Sequence, residues 1–240
     1  MRRIKRHDRS DILIHWFNAA CWLALLVTGV GLVDNPQLNP AGDAYPGAVR
    51  SLFGGGPALL NLHIGIGIAW MAGILLYVAV NFRGAVFFLK EIFSVSPARD
   101  VMWMVKKMAL MTVGSKPLAK AGLTPDLPDQ GYYNMGQKAF AQASVLGGVA
   151  IAATGVVMTL SDMVIPASMV WLVGWSVTLH YLAVGLVFAG LLVHVYMAAV
   201  SRDERPGFVS MFTGHVPEDY ARHHHKLWLD GLTGDSGGHK

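Results

Sequence analysis

Four long stretches of this 240-residue chain contain no charged residue. They cover residues 12–33, 51–82, 139–161 and 163–201. A helix needs about 20 mostly apolar residues to cross a bilayer, and each stretch reaches that length. The last stretch is too long for one helix and too short for two, and Pro166 lies in its first part. We therefore predict a loop or interfacial piece at about 163–173. The predicted spanning helices are about 12–33, 57–82, 139–161 and 174–201.

The polar segments between these helices are predicted to be connections of one membrane domain, 1–240. Pro57 suits the first turn of the second span, since proline is tolerated there. The connection 83–138 carries a short interfacial helix at about 100–113, with a methionine-rich apolar face, and residues 114–130 hold three prolines and are predicted to be irregular. The tail 202–240 is polar, and 234–240 is predicted to be disordered. The expected fold class is all-α, an integral membrane four-helix bundle.

Composition and charge give this bundle an orientation. The chain is 53% hydrophobic and 14% charged, whereas soluble domains are about 25% charged. Of the 19 Lys and Arg residues, all but Arg50 fall on one side of the predicted spans. The positive-inside rule makes that side cytoplasmic, so both termini are expected in the cytoplasm of a cell whose inner membrane holds the protein. The basic segments are expected to face anionic lipid rather than nucleic acid.

Four of the ten histidines lie inside the apolar stretches, namely His15, His63, His180 and His194. A polar side chain in a membrane span is a functional-site hypothesis by default. His180 and His194 are 14 residues apart, which is about 21 Å along one helix face. One such histidine could simply bond a neighbouring helix. Four at matching depths favour a dihaem b-type cytochrome.

Depth along each span pairs the four ligands. His63 and His180 lie near the outer ends of the second and fourth spans, and His15 and His194 lie near the cytoplasmic ends of the first and fourth. We expect His63 with His180 on an outer haem and His15 with His194 on an inner haem, all four binding iron. Neutral imidazoles suit haem iron. A zinc or copper site would need three or four ligands together.

Other residues refine this expectation. Cys21 is the single cysteine, so neither a covalently attached haem nor an iron–sulfur cluster held by this chain alone is expected. Glycines at haem depth would allow close backbone approach or small-residue packing; they are Gly29, Gly65, Gly67 and Gly185. The tract His223-His224-His225 is interpreted as a solvated tail or a partner contact.

The sequence motifs around these histidines resemble those of a known family, the membrane cytochrome b (gamma) subunit of respiratory formate dehydrogenases. The matching words are His15-Trp16, Leu62-His63, Gly65-Ile66-Gly67, Tyr133-Asn134-Met135-Gly136-Gln137-Lys138, Leu179-His180, His194-Val195-Tyr196-Met197-Ala198 and Ala221-Arg222-His223-His224-His225 with Trp228. The words around Asn134 and Tyr196 are specific. The histidine spacing alone is shared with hydrogenase and other dihaem cytochromes.

The resemblance implies two b haems on the ligand pairs given above. It also implies a quinone site, for menaquinone or ubiquinone, at Asn134, Gly136, Gln137 and His194. Electrons would arrive from an iron–sulfur beta subunit on the outer side, and formate would be oxidised on a catalytic alpha subunit. Asn134 could instead simply cap the third span.

Other functions stay open at this point. The chain could serve a hydrogenase or a related molybdenum or tungsten oxidoreductase, or it could be a stand-alone membrane oxidoreductase. A haem-free anchor or transporter is a further class, against which the four matched histidines argue.

Overall fold

The computed structural model describes residues 2–120, 122 and 124–234, and it is mostly helical. In chain order its strands and helices are β1 (Arg3–Lys5), α1 (Arg9–Leu32), α2 (Ala44–Leu52), α3 (Gly56–Val80), α4 (Phe82–Phe93), α5 (Met102–Thr112), α6 (Ser115–Lys120), α7 (Met135–Thr159), α8 (Ser161–Val164), α9 (Val170–Val195), α10 (Arg205–Thr213), β2 (His215–Pro217), α11 (Glu218–His224) and α12 (Lys226–Thr233). Single π-helical turns cover Pro97–Val101, before α5, and Tyr196–Val200, after α9.

Four helical segments are long and apolar enough to cross a membrane, namely α1, α3, α7 and Ala167–Val200, which contains α9. Each of them overlaps one of the four predicted spans, with bounds that differ by up to seven residues. Pro57 lies in the first turn of α3, as expected. Helix α9 begins at Val170, four residues before its predicted start, because the chain leaves the extended backbone of Pro166 directly through a short 3-10 turn.

The structure adds elements that the sequence pattern did not predict. Helix α2 lies in the loop 34–56, α4 follows α3 directly, and α10, α11 and α12 order the tail. Helix α6 lies within 114–130, so the expectation of an irregular segment there is wrong for residues 115–120. Strands β1 and β2 form an antiparallel pair with Ile4 opposite Val216, so the mostly helical chain also contains one short two-stranded sheet. The predicted disorder at 234–240 lies, from residue 235 onward, outside the described residues.

Contacts divide the chain into two compact units. The His63 unit comprises Arg9–Gly84 and Leu146–Phe188, and it includes α1, α2 and α3. The His194 unit comprises Met1–Asp8, Ala85–Val145 and Ala189–Lys240, and it includes the β pair and the tail helices.

Helices α1 and α3 of the His63 unit pack antiparallel through a polar seam. Tyr77 donates a hydrogen bond to Asp11 (2.9 Å), and the Trp70 indole donates to Asn18 (2.8 Å). Each pair is seven residues from the other on both helices, and positions seven apart share one helix face. The seam therefore fixes the register of α3 against α1, and His63 lies on the same face, seven residues before Trp70.

The carboxyl end of α1 is closed by side chains of the following loop. The Asn39 amide donates to the carbonyl oxygens of Val30 (3.0 Å) and Val33 (3.1 Å), and Arg50 donates to that of Gly31 (3.0 Å). The last carbonyls of a helix have no partner within the helix. A cation is also favourable at this negative end of the helix dipole. Arg50 is the one Lys or Arg residue that does not share a side of the predicted spans with the others. Its contacts with α1 give it a structural role.

In the His194 unit, a buried ion pair holds the start of α7 to the segment before α5. The Lys138 ammonium lies 3.0 Å from Asp100 Oδ2 and donates to the Ser94 carbonyl at 2.7 Å. Burial alone would raise the pKa of Asp100, but bonds from Arg99, the Ser96 N–H and Lys138 outweigh it and hold the pKa at about 2. Lys138 is the last residue of the motif that begins at Tyr133. Its bonds thus anchor the predicted interfacial helix to the start of α7.

The tail packs around a small core of its own. Val216, Tyr220 and Ala221 are buried there, with Ile4 and Trp228 against them. Arg6 leaves β1, lies over the Tyr132 and Trp228 rings, and donates to the Tyr132 carbonyl at 2.6 Å. These contacts tie the amino-terminal strand to the chain before α7.

The histidine tract is part of this core, so its interpretation as a solvated tail is wrong for two of its members. His225 is fully buried, and its Nδ1 lies 2.9 Å from the Gly131 carbonyl. His224 stacks on Tyr220 and lies 3.5 Å from Glu204. Only His223 is exposed. Burial, and then the nearby charge of Arg6, lower the pKa of His225 to about 3.

We expect acidification to loosen the tail through His225. The folded protein keeps this imidazole neutral because its pKa is about 3, whereas the unfolded chain binds a proton below about pH 6.5. Stability is therefore complete above pH 6.5 and is lost as the pH falls towards 3, by at most about 1.4 kcal/mol per pH unit. Thermal unfolding of the intact protein in detergent at pH 7, 6 and 5 measures this loss.

The variant His225→Asn keeps an N–H donor for the Gly131 carbonyl but does not titrate, so its midpoint should fall less with pH. His223→Asn, beside it and exposed, should behave like the wild type. An equal pH dependence in all three proteins would contradict the role of His225.

Candidate functional site

Two of the four intramembrane histidines face each other within the His63 unit. The ring centres of His63, on α3, and His180, on α9, are 6.4 Å apart. Both rings are half-buried. The structure thus brings together the pair that depth along the chain predicted for the outer site.

Each of these rings contacts a threonine on a neighbouring helix at hydrogen-bond distance. Thr28 Oγ1, on α1, is 2.8 Å from His63 Nδ1, and Thr154 Oγ1, on α7, is 3.0 Å from His180 Nδ1. Thr28 is 2% exposed and Thr154 is 9% exposed. Both contacts use Nδ1, which leaves Nε2 of each ring as the nitrogen available for binding.

A glycine follows each threonine and makes room for the ring. A Cβ placed on Gly29 would lie 3.2 Å from His63 Cε1, and one on Gly155 would lie 3.6 Å from His180 Cε1. The first distance is tighter than an ordinary van der Waals contact, so a side chain there would push the imidazole away. Gly29 was predicted to lie at this depth, and the structure puts it against the His63 ring.

These residues fit a haem iron bound between two imidazoles. A metal–imidazole bond is about 2.0 Å, and the nitrogen is roughly 1 Å from its ring centre, so two axial rings have centres roughly 6 Å apart. The observed spacing agrees with this value. Within the described residues, no group of three or more His, Cys, Asp or Glu side chains could hold a metal ion. The donor set therefore suits two axial ligands rather than a tetrahedral site.

The remaining two histidines belong to different units, so each is described in its own surroundings. His15 lies on the second turn of α1, edge-on to Trp16 with ring centres 5.2 Å apart. His194, at the end of α9, stacks on Phe140 of α7 with ring centres 4.4 Å apart and planes within 13°. A Cβ at Gly190, one turn before His194, would lie 3.1 Å from the Phe140 ring. The glycine therefore leaves space for this stack.

Three of the four predicted quinone residues, Asn134, Gly136 and Gln137, lie at the start of α7. Asn134 Oδ1 accepts from the Gln137 N–H at 2.9 Å, and Gln137 Oε1 accepts from the Asn134 N–H at 3.1 Å. This reciprocal pair is a capping box, so the geometry supports the alternative that Asn134 caps the third span. Gly136 lies between the box and Trp103, since a Cβ there would be 3.3 Å from Asn134 Oδ1 and 3.5 Å from the indole.

Several residues of the site were not predicted from the sequence, above all Thr28, Thr154, Gly155 and Phe140. The available signal was the dipeptide Thr-Gly, which occurs four times in the chain and lies inside a span at 28–29 and at 154–155. Of the other glycines predicted at haem depth, Gly65 and Gly185 would carry a Cβ without meeting a described side chain, and Gly67 would meet Leu25 at 4.0 Å.

Comparison with known proteins gives this arrangement a context. The family model described as prokaryotic cytochrome b561 matches residues 6–214. The chain is 22% identical over 225 residues to the formate dehydrogenase cytochrome b556(fdo) subunit of Escherichia coli strain K12, covering 94% of this chain and 91% of the relative. It is 24% identical over 232 residues to the formate dehydrogenase cytochrome b556 subunit of Haemophilus influenzae, covering 94% and 82%.

The capping box predicts how α7 responds to substitution. Asn134→Ala removes the acceptor for the Gln137 N–H and should destabilise the protein by about 0.5–2 kcal/mol. Asn134→Ser keeps a capping oxygen, so its free energy of unfolding should lie within about 0.5 kcal/mol of the wild-type value. Thermal unfolding in detergent compares the three proteins. Equal stability of the Ala and Ser variants would show that the box contributes nothing.

Proposed function

The chain belongs to the prokaryotic cytochrome b561 family, and from this premise we propose that it is the dihaem cytochrome b subunit of a membrane formate dehydrogenase. The observation that carries the proposal is the pair of facing imidazoles, His63 and His180, each held through Nδ1. Membership of a cytochrome b family implies haem b, and four apolar helices make the chain a multi-pass membrane protein. The two relatives named above are formate dehydrogenase subunits and match along 94% of this chain.

His63 and His180 would hold the outer haem through their Nε2 atoms. When bound, haem supplies one-electron transfer, and two imidazole ligands leave no open position for oxygen. The protein's part is to keep both rings in place, exclude water and provide an apolar surrounding. The four-helix frame of the His63 unit does this with residues from α1, α3, α7 and α9.

His15 and His194 would hold the inner haem. This assignment rests on the sequence, since both lie near span ends that share one side of the membrane when four spans alternate in direction. The positive-inside rule, applied to the basic segments, supports a cytoplasmic location for that side. Phe140 would fix the plane of His194 by stacking on its face.

Electrons would enter from an iron–sulfur beta subunit on the outer side and leave to a quinone at the cytoplasmic side, with the catalytic alpha subunit oxidising formate. Moving an electron inward against a negative interior costs up to about 2.3 kcal/mol per 100 mV. Quinone reduction then takes protons from the cytoplasm, so this charge movement conserves energy.

The proposed quinone residues are Asn134, Gly136, Gln137 and His194. The capping box uses the amide oxygens of Asn134 and Gln137, so the amide nitrogens are the groups that remain for a quinone carbonyl. An amide nitrogen has two N–H donors. The Asn134→Ser variant separates the two roles, because it keeps the cap and loses the amide: slower quinone reduction at unchanged stability would support the quinone site, and unchanged turnover would remove Asn134 from it.

Substitution of the ligands tests the two haem sites. The purified wild-type protein should give two non-covalent haems per chain by the pyridine haemochrome method. His63→Ala and His180→Ala should remove one spectral component, and His15→Ala and His194→Ala the other, because loss of an axial ligand weakens haem binding. The exposed His215→Ala is the matched control and should keep both. If His63→Ala and His15→Ala removed the same component, the pairing would be wrong.

Purification from native membranes tests the partner. The proposal expects an iron–sulfur subunit and a formate-oxidising subunit to co-purify, and formate to reduce the haems of that complex. Reduction by hydrogen instead, with a hydrogenase as the partner, would keep the cytochrome role and overturn the formate assignment. Isolation without any partner would support a stand-alone oxidoreductase.

A further inference from the structure

The two histidines of the proposed outer haem are supported by the same device on separate helices. His63 meets Thr28 followed by Gly29, and His180 meets Thr154 followed by Gly155. In both cases the threonine is buried and the glycine lies against Cε1 of the ring. Two independent occurrences of one arrangement, one for each ligand, argue that it serves the ligands rather than general helix packing.

The hydrogen bonds of the threonines determine which imidazole nitrogen carries the proton. Thr28 Oγ1 lies 2.8 Å from the Ala24 carbonyl, and Thr154 Oγ1 lies 2.6 Å from the Ala150 carbonyl. A carbonyl oxygen only accepts, so each hydroxyl must donate its single proton there. The hydroxyl oxygen is then an acceptor towards the ring, and Nδ1 must be the donor.

This assignment leaves Nε2 of each ring without a proton. A neutral imidazole carries one N–H, so a proton fixed on Nδ1 puts the lone pair on Nε2. We propose that Thr28 and Thr154 are paired positioning residues that fix the Nδ1–H tautomer of His63 and His180 and thereby present two Nε2 lone pairs to one haem iron. The proposal rests on the proposed function, because it takes haem to be the ligand between these rings.

The same bonds should also affect the reduction potential of that haem. A ligand histidine that donates its second N–H is a stronger electron donor to the metal, and hydrogen bonding around a haem ligand is one of the means by which proteins set its potential. A more basic ligand favours ferric over ferrous iron. Removal of either hydroxyl should therefore raise the midpoint potential of the outer haem and leave the inner one unchanged.

The test is a potentiometric titration of the intact membrane protein, with haem content measured beside it. Thr28→Val and Thr154→Val keep the shape of the side chain and remove the hydroxyl. Each should shift the one-electron equilibrium of the same spectral component about three- to tenfold towards the reduced form, which is roughly 30–60 mV at 59 mV per tenfold. The double variant should shift that one component further.

Two kinds of control accompany these variants. Thr28→Ser and Thr154→Ser keep the hydroxyl and should stay close to the wild-type potential. Thr159→Val, on α7 as Thr154 is, removes an exposed hydroxyl that donates to the Gly155 carbonyl in the same manner, at 2.8 Å, and should have no effect. If a valine variant lost the outer haem altogether, retention by the serine variant would still support the hydroxyl's role, whereas equal loss in both would overturn it.

The outcomes also separate this inference from the function on which it rests. Two haems with unchanged potentials in both valine variants would overturn the positioning role and leave the haem assignment intact. Shifts of two different components by Thr28→Val and Thr154→Val would show that His63 and His180 do not share one iron. A wild-type protein without b haem would overturn the proposed function itself.

Discussion

The architecture depends on one constraint: a polar group inside an apolar span must find a partner, since no water is available there. Thr28 and Thr154 each have two hydrogen-bond partners there, one on the same helix and one on another. Each hydroxyl donates to a carbonyl of its own helix and lies within hydrogen-bond distance of Nδ1 of a histidine on another helix. The contact thus joins two neighbouring helices. It holds each imidazole ring through its Nδ1 atom.

Helix register makes these contacts possible. The seam of Asp11 with Tyr77 and Asn18 with Trp70 runs along the face that carries His63, and a shift of α3 by one residue would rotate that face by about 100°. The loop after α1 then closes its carboxyl end through Asn39 and Arg50. The residues that hold His63 and His180 are therefore supported by others that do not contact these two histidines.

The His194 unit shows the same principle with charged groups. A buried ion pair is costly unless it is fully hydrogen-bonded, and the pair of Lys138 and Asp100 has bonds from Ser96 and to Ser94 in addition. The capping box of Asn134 and Gln137 lies one turn away. The motif from Tyr133 to Lys138 thus forms the start of a helix and the ion pair that anchors it. Any quinone chemistry of these residues must coexist with that structural role.

The amino-acid sequence was enough to predict the four spans, the pairing of His63 with His180 and the family resemblance, because uncharged length, helical depth and short motifs are local properties of the chain. It did not reveal Thr28 and Thr154, since a threonine in an apolar helix looks the same whether it bonds only its own backbone or also a histidine 26 or 35 residues away. Nor did it show that His225 is buried or that Asn134 and Gln137 cap each other's backbone. Those facts depend on which helix faces which, and only tertiary packing decides that.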